Sequence, residues 1–164
     1  MKWVIVAIVA GLLCAFVIFQ LESVKTTYVN GLPPYTNLPG REFILQRDCY
    51  VFKFKDHDTS WPLIASSDSV PALPAEVKPS NVGAELPTVR ILDVLKVGDR
   101  FRIVSVRKDV SRKETRVTFE ILLHDESSRK YPRLDAFWIL DHSPENEGAA
   151  PKIITAYAVP QAKE

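Results

Sequence analysis

Three histidines each stand beside a carboxylate: His57 lies between Asp56 and Asp58, His124 precedes Asp125 and Glu126, and His142 follows Asp141. Imidazole with carboxylate is a donor set that zinc accepts, so gathering these side chains would make a metal centre. Each falls in a polar segment of turn composition, where such residues bond to nearby backbone groups instead. No metal is expected. Cys49, between Asp48 and Tyr50, has no histidine or lysine beside it to activate a thiolate, and reads as a small packing residue. No serine occupies a glycine-flanked elbow, and no glycine-rich phosphate loop occurs. Carboxylate pairs of the glycosidase kind are defined by spatial separation, and the acidic residues here sit among counter-charges in polar segments. The expectation is a protein that is not an enzyme and holds no cofactor.

Charge is least even around one central stretch, where Arg100, Arg102, Arg107, Lys108, Arg112, Lys113 and Arg116 face only Asp109 and Glu114. Gathered at one end of a domain, these cations would attract an acidic protein surface, a lipid headgroup or a wall polymer. The plainer reading is a solvated hairpin loop that keeps strand edges soluble. Trp61 and Trp138 are aromatic groups that could contact a ligand or fill a core. The candidate binding residues are therefore Arg107, Lys108, Arg112, Lys113 and Trp61.

The elements that must position these groups begin with an unbroken apolar run at residues 3–19, extended by Leu21 past Gln20. As a helix rising ~1.5 Å per residue, seventeen residues cover about 25 Å, close to the roughly 30 Å hydrocarbon thickness of a bilayer. Lys2 before the run and Glu22 after it favour a cytoplasmic amino end. Residues 1–21 are thus expected to form a transmembrane anchor in the inner membrane, single-pass, with the remainder outside the cytoplasm. A cleaved signal peptide or a lipoprotein signal ending at Cys14 are the alternatives, although Leu13 and the apolar residues after Cys14 depart from the lipoprotein pattern. Residues 22–40, with Pro33, Pro34 and Pro39, read as an extended tether.

Residues 41–160 are expected to form one β-rich domain. Tyr50, Phe52 and Phe54 alternate with Val51, Lys53 and Lys55, the pattern of a half-buried strand. Residues 61–88 carry Pro62, Pro71, Pro74, Pro79 and Pro87, which exclude a long helix or central strand and predict a long solvated loop. Strands follow at 89–95, 100–107 and 115–123, the last with Val117, Phe119, Ile121 and Leu123 on one face, and Arg116, Thr118 and Glu120 on the other. Further strands are expected at 131–140, where Phe137 and Trp138 would face opposite sides, and at 152–159.

An internal echo links Gly40-Arg41-Glu42-Phe43-Ile44-Leu45 to Gly98-Asp99-Arg100-Phe101-Arg102-Ile103. A glycine turn opens an aromatic strand in both, which resembles the strand entry of small bacterial envelope proteins with an SH3-like β-barrel. The resemblance implies an all-β, mainly antiparallel fold built as a small SH3-like barrel, with an OB-like barrel or a β-sandwich as alternatives.

Lysine and arginine total 21 against 20 acidic residues, a balance that argues against a nucleic-acid binder. The functional expectation is a membrane-anchored extracytoplasmic interaction module that binds a protein partner in the cell envelope. A peptidoglycan-binding SH3-like domain, and a periplasmic inhibitor or immunity protein against a toxic enzyme, are the alternatives.

Overall fold

The computed structural model describes residues 24–57, 61–112, 114–124, 130–142 and 150–161. The expected membrane helix within residues 1–21, and Lys113, lie outside them.

Apolar residues that alternate with polar ones make strands, and the chain is all-β and mainly antiparallel. The longest ladder joins β6 (Arg100–Val110) to β7 (Thr115–Leu123). Phe119, Ile121 and Leu123 of β7 enter the core, as their alternation requires. Strand β6 changes phase along its length. Phe101 and Ile103 face the core, but a bulge between Ile103 and Ser105 shifts the alternation by one. Val106 then takes the core side, which turns Ser105, Arg107 and Asp109 to the opposite face.

The sheet contains β1 (Lys25–Tyr28), β2 (Glu42–Leu45), β3 (Cys49–Phe54), β4 (Leu63–Ala65), β5 (Val89–Leu95), β8 (Leu134–Asp135) and β11 (Ala158–Pro160) besides β6 and β7. Its order is β11-β2-β6-β7-β8-β4-β3-β5, with β1 beside β6 on the edge that β2 also uses. Among the described residues only β4 and β8 pair in parallel, through Leu63 and Asp135. A separate two-stranded ladder joins β9 (Leu140–Asp141) to β10 (Lys152–Ile153).

The sheet curls so that Leu45, Val51, Ile64, Phe101, Ile121 and Leu134 meet in one apolar cluster. It does not close into the barrel expected from the sequence, because the end strands β11 and β5 do not pair. The outer edge of β5 is already bonded: Gly83 donates to Ile91 O, Ile91 to Ala84 O and Leu86 to Val89 O at 2.9–3.0 Å.

The echo between residues 40–45 and 98–103 is a pairing. Phe43 stands opposite Phe101 in the β2–β6 ladder, with the rings stacked at 5.5 Å. Around that pair the bonds repeat as if by a local twofold axis, with Gly40 donating to Ile103 O and Gly98 to Leu45 O, at 2.8 and 2.9 Å. Both glycines have positive φ, 85° and 94°, a backbone that other L-residues adopt at a cost.

Four expectations are corrected. Strand β3 is buried on both faces: Cys49 and Val51 join the main cluster, whereas Tyr50 and Phe52 form a second one with Val70, Leu73 and Ile91. The proline-rich residues 61–88 supply the cover for that second face, contribute β4, and are pinned where the Tyr50 hydroxyl donates to Glu76 O at 2.5 Å. Proline forbids long regular elements, but it does not prevent neighbouring valines and leucines from packing. The expected tether is likewise built in, since β1 pairs with β6, Val29 is buried, and Asn30 Oδ1 accepts from Val106 N. Finally, residues 131–140 form no continuous strand but the short β8, a 3-10 turn at Phe137–Ile139 and the start of β9 at Leu140, and Phe137 and Trp138 meet edge to face at 5.4 Å.

Candidate functional site: a charged network beneath an aromatic cleft

The face of the sheet opposite the main core carries Tyr28 and Thr26 from β1, Ser105, Arg107 and Asp109 from β6, Thr118 and Glu120 from β7, and Asp135 from β8. Register sets them side by side: Tyr28 faces Arg107, Arg107 faces Thr118, Ser105 faces Glu120, and Glu120 faces Asp135. Arg107 is the hub. It donates to Asp109 at 3.0 Å and to Asp135 at 2.9 Å, and its guanidinium lies 3.8 Å from Glu120. Glu120 is fully buried and accepts from the Tyr28 hydroxyl at 3.0 Å, from Arg133 at 2.9 Å and from the Ser105 hydroxyl. Asp135 accepts from Thr118 at 2.5 Å and from the Phe137 amide at 2.8 Å, while Asp109 accepts from Thr26 at 2.8 Å.

A carboxylate removed from water must be compensated by counter-charges and hydrogen bonds. The network supplies both. Burial pulls the Arg107 pKa down, but Asp135 and Asp109 outweigh that and hold it above its ordinary value. The Tyr28 hydroxyl is also raised, first by its bond to Glu120.

Above the network opens a cleft of about 960 Å³, lined among others by Phe54, Trp61, Leu63, Trp138, Arg107 and Asp135. Trp61 lies under the Arg133 guanidinium at 5.2 Å, and Trp138 packs against Phe54 at 6.4 Å. Beside them Arg116 covers the Phe137 ring at 4.4 Å, and His142 stacks on the same ring at 4.1 Å. No family model, curated protein or solved structure matches the chain. The functional reading therefore rests on the chemistry of this cleft.

The residues singled out in the sequence divide. Trp61 and Arg107 both line the cleft, but Arg107 is bound by three carboxylates and is not a free cation for an anionic partner. Lys108 and Arg112 have no carboxylate partner among the described residues, and lie toward the hairpin tip. Lys113 is outside the described residues. His142 and His124 make separate contacts: His142 Nε2 bonds Phe137 O at 2.9 Å, whereas His124 Nε2 lies 3.3 Å from Glu42 Oε1 without hydrogen-bond geometry. No cluster of three metal-type ligands occurs among the described residues. Cys49 is fully buried, and burial pushes its thiol up to about 12.

Sequence reasoning missed Tyr28, Glu120, Arg133 and Asp135. The signal for part of this is visible in β6, where the run Phe101-Arg102-Ile103-Val104-Ser105-Val106 slips its apolar phase at Val104. Such a slip marks a bulge and redirects every later side chain.

Proposed function

We propose that this chain is a membrane-anchored, non-enzymatic interaction module of the cell envelope, placed outside the cytoplasm, whose β domain receives a segment of a protein partner in the cleft between Trp61 and Trp138. The observation that carries the reading is the cleft itself, which joins two indoles and Phe54 to a floor of carboxylates and guanidinium. Large rings with polar edges give contact area at little conformational cost, and such residues dominate binding hot spots. The charged groups beneath are engaged by one another, which suits them to orient a guest through hydrogen bonds rather than to move its protons. The apolar run at residues 3–19, with Lys2 ahead of it, supports the anchor and its orientation. An SH3-like barrel that has opened is the fold type favoured here, supported by the two glycine strand entries and the curl of the sheet.

Crosslinking in intact membranes followed by recovery of the chain tests this. A partner protein should be captured by the native chain, and its yield should fall at least tenfold with Trp138→Ala or Trp61→Ala. Equal capture by both variants would remove the cleft from the interaction.

Indoles beside carboxylates also suit a sugar ring, so a wall polymer is the second reading. Retention of residues 24–164 on purified peptidoglycan at low salt, lost in the same variants, would replace the protein partner by that polymer.

A further inference from the structure

We propose that the tip of the β6–β7 hairpin rests on an anionic lipid surface, an inference that depends on the membrane-anchor reading above. The observation is the register of β1. Lys25 stands opposite Val110, and Thr27 opposite Lys108, so the first strand after the apolar run lies along the hairpin with its beginning at the tip. Thr26 and Tyr28 turn to the charged network, which sends Lys25 and Thr27 to the other face, together with Lys108 and Val110. At this end the core no longer covers that face: Lys25, Thr27 and Val110 are exposed.

Charge there is one-sided. Asp109 is held by Arg107 and Glu114 pairs with Arg116, whereas Lys25, Lys108 and Arg112 have no carboxylate partner among the described residues. Exposed Val110 lies among these cations, which is the composition of a surface that meets headgroups rather than bulk water.

Chain length places the tip. Four residue steps separate Leu21, the end of the apolar run, from Lys25. Fully extended they span at most about 14 Å. A headgroup layer is roughly 5–8 Å thick and charges act over a Debye length of ~8–10 Å. An anchor that ends at Leu21 therefore holds Lys25, and with it Val110 and the hairpin tip, within electrostatic reach of the lipid. An acidic protein could also meet these cations, but nothing would then require them to gather where the chain leaves the membrane.

The test uses the full chain with Cys14→Ser and Val110→Cys, the new thiol carrying an environment-sensitive fluorophore. Cys49 is buried and stays unlabelled. The protein is reconstituted into phosphatidylcholine vesicles with or without phosphatidylglycerol, and flotation is measured beside emission. The chain should float with both vesicles, and the label should shift to the blue only in the anionic ones. Lys25→Glu, Lys108→Glu and Arg112→Glu should each lower the docked fraction about fivefold or more, with unchanged thermal midpoints, and high salt should abolish the shift. Failure to float would overturn the anchor and this inference together. Flotation with identical emission in both vesicles would overturn the inference and leave the anchor standing. A shift seen only in native membranes, absent from anionic vesicles, would assign the tip to an acidic protein instead.

Discussion

The Tyr28 hydroxyl donates to Glu120 across 92 residues of sequence, and in doing so ties β1 to β7 over the top of β6. The contact works because Glu120 is fully buried, so a strand with exposed side chains is held by a group that water does not reach.

Removing the donor and removing the acceptor should differ. Tyr28→Phe deletes one hydrogen bond and should cost about 1 kcal/mol. Glu120→Ala strands Arg133, Ser105 and one side of Arg107, and should cost about 3–5 kcal/mol. Chemical denaturation of both variants measures the gap. Equal costs would mean that Glu120 contributes only through Tyr28.

Two arginines of the same hairpin should behave in opposite ways. Arg107→Ala uncovers three carboxylates and is expected to lose about 3–5 kcal/mol, whereas exposed Arg112→Glu should stay within roughly 0.5 kcal/mol of the native chain. Thermal midpoints separate them.

Glycine substitutions test the paired strand entries. A Cβ at Gly98 would touch nothing within 4 Å, so the cost of Gly98→Ala is conformational, about 1–2 kcal/mol for a residue held at φ 94°. Gly31→Ala, also with open space but without positive φ, should be neutral or slightly stabilising. A Gly98→Ala variant as stable as the native chain would show that the turn can be rebuilt.

Stability should form a plateau with two falling limbs. The Lys96 hydrogen bond lowers the Asp48 carboxyl, and at Asp93 burial pushes upward but the Lys130 bond and charge, together with the Val94 amide and the Tyr131 hydroxyl, outweigh it. Lowered carboxyls stabilise above their unfolded range near ~4, and the gain is lost as pH falls through the folded values. On the alkaline side Asp93 and Tyr131 raise Lys130 to about 12, and burial raises Cys49 to about 12 as well. Raised groups stabilise below their unfolded values, near ~10.4 for lysine and ~8.5 for cysteine, and the gain disappears as pH climbs to the folded ones. Denaturation midpoints against pH should therefore fall below about pH 4 and above about pH 9. Asp93→Asn should flatten the acid limb, and Cys49→Ala should delay the alkaline one.

How much was legible depends on the range of the interaction. Alternation in β7 is local, and it placed Phe119 and Ile121 in the core and Glu120 on the other face. It could not say that Glu120 is buried there, because the side chains that cover it come from Tyr28 and Arg133. The glycine echo was readable as two strand entries, but not as partners of each other, since pairing is set by tertiary register. Residues 61–88 were misread for a different reason. Their prolines correctly excluded long elements, yet Val70 and Leu73 still had an apolar face of β3 to cover.

The docking of β1 also decides how the domain responds to force. If residues 3–21 lie in a membrane, any pull between bilayer and domain enters at Val24 and runs along the axis of β1. A strand drawn along its own axis loads its ladder bonds together rather than one after another. The buried Val29 side chain and the Tyr28–Glu120 contact sit at the far end of that strand and share the load. Tension would thus load the charged network beneath the cleft together with the Val29 edge of the core, so a pull from the membrane would be felt in the cleft as well as in the core.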